Sequence, residues 1–447
     1  MSIKNKVKNV IAAHLVFLFV SGIFFFSPRA ADSVETAEIF TLEKTIQTAV
    51  KNNIELQRAK EDINAAAAAK NAARANFLPV LNASYQYKHN YEEITSPLFG
   101  ITTPEDDYIF AVSITQPVFA GFSIINRYKL AGLGLDAAGL NEKITRLEII
   151  YRANKAYFSV LKALKIEGVL QETVTQLSAH ENVAKTFYEV GMTPLNDLLK
   201  SQVELANSRQ ELTIAKNNLE YAKSDFNTLL RRHINSSVDL ADILNYIPLT
   251  NELDYYFELA QKNRLEIKLV DLQIEMAEKE LALAKKDYFP TVTLTGTRYQ
   301  RGTDWDVNGG DGISDPNSWN VSAIASWNFW EWGKTCFGAV EKKSRLQQAK
   351  LKKDEIADKI LLEVKQSFLK TKESESNIIT VQKAIEQAKE NLRISRERYK
   401  EQIATSTDVL DAQTLLSRTM TNYYNALYDF KISKASLYRA MSMELAE

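Results

Sequence analysis

Ala49-Val50-Lys51-Asn52-Asn53-Ile54-Glu55-Leu56 recurs as Ala260-Gln261-Lys262-Asn263-Arg264-Leu265-Glu266-Ile267, an offset of 211 residues that holds to the far end of the chain. Phe77-Leu78-Pro79 maps onto Tyr288-Phe289-Pro290, and Tyr188, Asp197, Leu199 and Gln202 map without a gap onto Tyr399, Asp408, Leu410 and Gln413. A unit of this length is far longer than the ~20–50 residues of solenoid repeats. Each copy is therefore several elements long, and the chain is read as two halves of one architecture: a first repeat over 41–231, a linker over 232–251 and a second repeat over 252–442.

Each copy opens with a helical stretch free of proline, Leu42–Asn76 and Leu253–Asp287, which Pro79 and Pro290 terminate because proline cannot continue a helix. The period then changes from about 3.6 to 2. Leu81, Ala83, Tyr85 and Tyr87 alternate with polar residues, and so do Tyr108, Phe110, Val112 and Ile114 beyond a polar loop. The second copy repeats this with Val292 and Leu294, then Val321, Ala323, Ala325, Trp327 and Phe329. One strand–loop–strand hairpin per copy follows, over 78–119 and 289–330. Alternation with aromatic ends suits strands that face lipid on one side and water on the other, and it equally suits a soluble half-buried hairpin. The strand count is more restrictive. Four strands cannot close a spanning sheet, since single-chain bacterial barrels begin at about eight. Either the strands are soluble or several subunits share one barrel, with three subunits giving twelve strands.

Long helices are expected next, over 123–189 and 334–400, each without proline and each on the order of 100 Å at about 1.5 Å per residue. Ile378, Val381, Ile385, Ala388, Leu392, Ser395 and Tyr399 take the three- and four-residue steps of a coiled-coil seam. After short turns, returning helices over 195–231 and 406–442 carry strict heptads, Leu198, Leu205, Leu212, Leu219 and Phe226 in one and Val409, Leu416, Tyr423, Phe430 and Leu437 in the other. Each copy thus ends in an antiparallel helical hairpin. An opening helix stacked end to end on a returning helix matches the length of one long helix.

Only 15 glycines and 9 prolines occur in 447 residues, which agrees with long uninterrupted helices. A net charge of −1 without a basic tract gives no footprint for nucleic acid. Cys336 is the single cysteine, so there is neither an intrachain disulfide nor a thiolate metal cluster. His14, His89, His180 and His233 are scattered, and no nucleophile elbow, phosphate loop or dinucleotide fingerprint is present. No enzymatic activity and no cofactor are expected. At the N-terminus Lys4, Lys6 and Lys8 precede the apolar run 10–26 and Ser27-Pro28-Arg29-Ala30-Ala31, the order of a signal peptide over 1–31. Arg29 or Pro28 at the minus-three position makes the cleavage site imperfect, and an uncleaved anchor is the competing reading.

The order of elements, the duplication and several short motifs together resemble the TolC family of outer-membrane efflux and secretion channels. The motifs are Gln116-Pro117-Val118-Phe119-Ala120-Gly121, Trp327-Asn328-Phe329-Trp330-Glu331-Trp332-Gly333, Tyr188-Glu189-Val190-Gly191 and Asp408-Val409-Leu410-Asp411-Ala412-Gln413. The resemblance implies a mainly α fold with a small β part. In that fold a homotrimer builds an α-helical barrel of long antiparallel coiled-coil helices and one shared twelve-stranded transmembrane β-barrel. It further implies an outer-membrane location with a long periplasmic extension. The implied partners are outer-membrane lipid, a periplasmic adaptor and an inner-membrane pump or ABC transporter. Carried over position by position, the gate falls on Asp408, Asp411 and Tyr399, and the tip turns that meet the adaptor on Gly191, Thr193, Asp197, Gln402 and Thr405. Two departures stand out: Ala404 occupies the place of a usual arginine near the tip, and Gln402 that of a usual glycine.

Asp408 and Asp411 lie on one helix face. In a trimer they would set six carboxylates around a constriction, with some pKa values raised by crowding; early-turn acids that suit the helix dipole are the plainer alternative. Asp304, Asp306, Asn308 and Asp315 fit a calcium-loop spacing except at the last position, although strands flank them. A periplasmic adaptor and a helical scaffold without a pore are the competing functions.

Overall fold

The computed structural model describes residues 39–444 apart from 99, 244, 246 and 314; the expected signal peptide lies outside the described residues. Strand β1 (Ile39–Phe40) leads into helices α1 (Leu42–Asn52) and α2 (Ile54–Ala75), then strands β2 (Val80–His89), β3 (Ile94–Ser96), β4 (Gly100–Thr103) and β5 (Asp106–Ala120). Helices α3 (Ser123–Glu189) and α4 (Leu195–Leu229) complete the first copy, and β6 (Asp239–Leu240) pairs in parallel with β1. The second copy comprises α5 (Leu253–Asn263), α6 (Leu265–Ala284), β7 (Thr291–Gly302), β8 (Asn317–Ser326), α7 (Lys334–Lys400) and α8 (Ser406–Ala440). Every helix start in the second copy falls 211 residues after its counterpart.

The opening stretch of each copy is two helices, not the single helix that its proline-free run suggests. The break falls at Asn53 and at Arg264, both with extended ψ (129° and 118°). The cause differs between the copies. Asn53 is an N-cap whose Oδ1 accepts from the N–H groups of Glu55 (2.8 Å) and Leu56 (3.4 Å), satisfying donors that a helix start leaves free. Arg264 makes no such cap and is held by ion pairs instead, to Glu363 at 2.6 Å and Glu266 at 2.8 Å, with its Nη1 donating to the Arg439 carbonyl. Arg439 adds pairs to Glu148 and Glu363. One part-buried network thereby ties α6, α3, α7 and α8 together.

Two apolar cores flank these breaks, and they use equivalent positions. Ile149, Ala153, Tyr157, Phe226 and Leu230 are buried in the first, and Ile360, Val364, Phe368, Leu437 and Met441 in the second. Tyr157 donates its hydroxyl to the Phe40 and Ala241 carbonyls, fastening the β1–β6 clamp to α3. The heptad positions Leu198, Leu205, Leu212 and Leu219 on α4 are all buried, as are Val409, Leu416, Phe430 and Leu437 on α8, with Tyr423 partly so.

Strands β2, β5, β7 and β8 form one antiparallel sheet in the order β2-β5-β7-β8, so both β2 and β8 are open edges. The register sets Leu81, Ala83, Tyr85 and Tyr87 opposite Ile114, Val112, Phe110 and Tyr108. Ile114 in turn opposes Gly296, which opposes Val321, and Leu294 opposes Ala323. The apolar sets of both hairpins therefore share one face, because side chains alternate with period 2 along every strand. Asn82, Ser84 and Gln86, Ser113 and Thr115, Thr295 and Thr297, and Asn320 and Ser322 fall on the other face. On that polar face Arg301 donates twice to Asp107, at 2.6 and 2.9 Å, joining β5 to β7.

Two local expectations are revised. Strand β8 ends at Ser326, and exposed Trp327, Phe329, Trp330 and Trp332 lie beyond its ladder, where no neighbouring strand continues to pair. The first loop holds the small β3–β4 hairpin, whose few residues give too short a period to read. Between sheet and long helix the chain turns through two left-handed residues in both copies, Gly121 (φ 57°) with Phe122 (φ 62°) and Trp332 (φ 51°) with Gly333 (φ 82°). A Cβ on Gly121 would lie 2.2 Å from the Lys286 carbonyl oxygen. Left-handed strain of roughly 1–2 kcal/mol plus an overpacking cost of about 1–3 kcal/mol makes Gly121→Ala strongly destabilising, which thermal unfolding against wild type will show.

Candidate functional site

The turns joining α3 to α4 and α7 to α8 lie at the end of the hairpins remote from the sheet, and the sequence-predicted gate and tip residues gather there. Gly191 (φ 77°) and Gln402 (φ 61°) occupy the same left-handed position in the two turns. Gln402 adopts it despite its side chain, so the second turn bears strain that the first avoids. Val190 and Glu401 close the helices, and the turn continues with Met192 N–H donating to the Phe187 carbonyl and Ile403 N–H to the Arg398 carbonyl.

The two returning helices begin differently. Thr405 and Asp408 form a reciprocal capping box: Asp408 N–H donates to Thr405 Oγ1 (3.3 Å), while Asp408 Oδ2 accepts from Thr405 N–H (2.7 Å) and Oγ1–H (2.9 Å). These bonds, with support from Arg398, hold the Asp408 carboxyl below the usual carboxylate range. Within one subunit the shift runs opposite to the rise that crowding of carboxylates suggests, because the turn's own donors dominate. Helix α4 begins after Pro194 with no side-chain cap, although Asp197 stands in the equivalent position. The Thr193 hydroxyl is buried without a partner. Asp411 is exposed and lines a cleft between α4 and α8 together with Asn196, Lys200, Glu204 and Thr407. The two aspartates thus face different surroundings, one turned back on its own turn and one open to a cleft.

Tyr399 is 3% exposed and sits among α3, α7 and α8, 5.0 Å from the His180 ring and 5.6 Å from the Phe187 ring. Its hydroxyl is buried without a hydrogen bond, the nearby Ser406 Oγ being engaged by His180 Nε2 at 2.8 Å. Burial raises the phenol above its ordinary pKa. Arg396 lies on the same side of α7 and donates through Nη2 to Gln176 Oε1 (2.7 Å) and Gln413 Oε1 (2.8 Å). His180, Arg396, Gln176 and Ser406 escape a reading of composition and motif. The available signal was a histidine on a seam, since Val169, Thr173, Leu177, His180 and Ala184 are the buried positions of that stretch of α3.

The surfaces within and between hairpins differ in chemistry. Each hairpin closes on leucine and other apolar heptads. Between α3–α4 and α7–α8 the links are mainly polar: Lys200 to Thr407 (3.1 Å), Glu204 with Thr414 (3.2 Å), Thr173 to Ser417 (3.0 Å) and the His180–Ser406 and Arg396–Gln176 bonds. Leu410 against Leu177 and Leu205, Phe187 against Tyr399 and Phe158 against Tyr428 are apolar contacts across the same boundary.

The described residues contain no group of three or more His, Cys, Asp or Glu placed to hold a metal. In the β7–β8 loop, Asp306 accepts from Asn308 N–H and Asp315 from Asn317 N–H. Asp304, Asp306, Asn308 and Asp315 are therefore turn-forming residues here. No described helix is long and apolar enough to cross a membrane.

Long paired antiparallel helices and a duplicated strand hairpin define a two-repeat, mainly helical class of protein with one small sheet. The family model described as outer membrane efflux protein matches residues 45–230 and 257–442, once in each repeat, and the chain belongs to that family. It is 21% identical over 431 residues to the outer membrane protein TolC of Vibrio cholerae, covering 96% of this chain and 95% of the relative. It is 19% identical over 411 residues to the outer membrane efflux protein BepC of Brucella suis, covering 91% and 86%. Among solved structures, the Campylobacter jejuni CmeC outer membrane channel superposes with a TM-score of 0.80 at 18% identity, covering 91% of this chain and 87% of that one. By that membership the chain is an outer membrane efflux protein.

Proposed function

We propose that three copies of this chain close one twelve-stranded barrel and one twelve-column helical tunnel, and that the assembly is the passive exit duct of a tripartite efflux or type I secretion system. The observation that carries this is the four-stranded sheet, whose apolar sets share one face, with Arg298 and Gln300 towards its loop end, and whose edges at β2 and β8 are unpaired. A lipid-exposed edge is untenable, so β8 of one copy pairs with β2 of the next until the sheet closes. Exposed Trp327, Phe329, Trp330 and Trp332 follow β8 and the Phe122–Phe289 pair follows β5 and precedes β7, all at sheet–helix junctions, where an aromatic girdle at the periplasmic membrane surface would fall.

In this reading a periplasmic adaptor docks near the tip turns, Gly191, Thr193 and Asp197 in one hairpin and Gln402 and Thr405 in the other. An inner-membrane pump or ABC transporter supplies cargo. The gate lies where Asp408, Asp411 and Tyr399 approach the threefold axis, and it opens as α7–α8 swings away from α3–α4 across their polar contacts. Cation preference at the constriction comes chiefly from Asp411, whose carboxylate is not engaged in the turn. Mass determination of the purified protein in detergent tests the assembly. A particle of three chains supports the duct, and a monomer at all concentrations overturns it.

A further inference from the structure

His180 is the point at which the first repeat grips the start of α8. It is 8% exposed, hydrogen-bonds Ser406 at 2.8 Å and packs its tilted ring against Tyr399 at 5.0 Å between centroids. Ser406 is fully buried and is the first residue of α8, next to the capping Thr405. One imidazole of α3 therefore touches both helices of the other hairpin. A cleft of about 310 Å³ lies beside it, lined by Gln176, His180, Arg396, Tyr399 and Lys400. The charged and titratable groups around it are Arg396, Lys400 and Tyr399 on α7 and Asp197 on α4. Lys400 is paired with Glu397 at 3.2 Å, and Glu172 of α3 acts on Arg396. No described carboxylate forms an ion pair with His180 or Arg396.

We propose that His180 latches the α7–α8 hairpin to α3 at the packed tip, and that protonation of its imidazole releases the hairpin, making acid an opening signal for the duct. The proposal rests on the tip being the gate. A charged imidazole here would lie beside the Arg396 guanidinium, largely removed from water. It would keep a donor for Ser406 but gain no anionic acceptor.

Burial, then Arg396, push His180 down to about 4, with Asp197 opposing. In a released tip the ring meets water and returns towards 6.5, its ordinary value. A group whose pKa is depressed in the packed state opposes packing once the released state binds the proton. The latch is therefore intact above about pH 6.5 and is lost as pH falls towards 4. At pH 5 the bias towards release is about thirty-fold per subunit.

The test is planar-bilayer recording of the reconstituted wild-type protein and of His180→Gln, whose amide reaches the Nε2 position to hydrogen-bond Ser406 but does not titrate in this range, at pH 7.5 and pH 5.0. The expected result is an open probability that rises at least tenfold in acid for wild type and less than twofold for His180→Gln. An equal acid response in both overturns the latch and leaves the tip gate standing. A wild-type channel fully open at pH 7.5 with no acid response overturns the gate reading together with the latch. Hydrogen–deuterium exchange at the imidazole C2 position of the wild-type protein, read by mass spectrometry, needs no variant. A His180 midpoint well below 6 supports the latch, and one near 6.5 overturns it.

Discussion

Arg264→Ala is expected to destabilise the protein by about 2–3 kcal/mol, below the cost of breaking a fully buried ion pair because the carboxylate partners of the buried guanidinium are partly exposed. Arg264 is 5% exposed and neutralises Glu363 and Glu266 while its Nη1 caps the Arg439 carbonyl near the end of α8. Without it, Glu363 shares Arg439 with Glu148, and Glu266 has no described cation in contact. The equivalent change in the first repeat, Asn53→Ala, removes only a helix cap and should cost about 0.5–2 kcal/mol. Thermal unfolding of the two variants against wild type checks the asymmetry. Equal effects would mean that the two breaks are held in the same way, contrary to the contacts described.

The second large effect separates the two faces of the sheet. Ile114 and Ser113 are neighbours on β5, Ile114 opposite Leu81 and Gly296 and Ser113 opposite Asn82 and Thr297. Ile114→Arg places a cation against the hydrocarbon near mid-depth, at about 2–4 kcal/mol for each subunit. It should abolish insertion into the outer membrane. Ser113→Arg faces the lumen, so insertion should persist while ion selectivity shifts towards anions. The membrane fraction and the reversal potential of each variant read these outcomes. A soluble half-buried hairpin would tolerate Ile114→Arg with little change in localisation.

Much of this architecture was legible because its signals are local and repeated. Pro79 and Pro290 end helices wherever the rest of the chain lies, and a heptad such as Leu198-Leu205-Leu212-Leu219 requires an apolar partner along its length. The strand alternation likewise determines which residues share a face once the hairpins pair. The breaks at Asn53 and Arg264 were less visible, since helix propensity on both sides is good and the interruption depends on a cap in one copy and a distant ion network in the other. Trp327 and Phe329 continue the alternation yet lie outside the ladder, because strand length is set by the partner strand and not by the pattern alone.

At the tip, spacing led to Asp408 and Asp411 but not to their different environments. Asp408 is drawn into the capping box by Thr405, a pairing that the threonine and aspartate three residues apart do announce. His180 and Arg396 belong to different repeats, 216 positions apart in the chain. Their meeting follows from α3 packing against the second hairpin, which no window of sequence contains.

The account as a whole stands on a pore formed by several copies of this chain. Planar-bilayer recording of the purified, membrane-inserted protein tests that claim most directly. The predicted result is stepwise, uniform conductance increments that prefer cations and lose much of that preference in Asp411→Asn. Inserted protein that carries no current at any voltage or pH would contradict it.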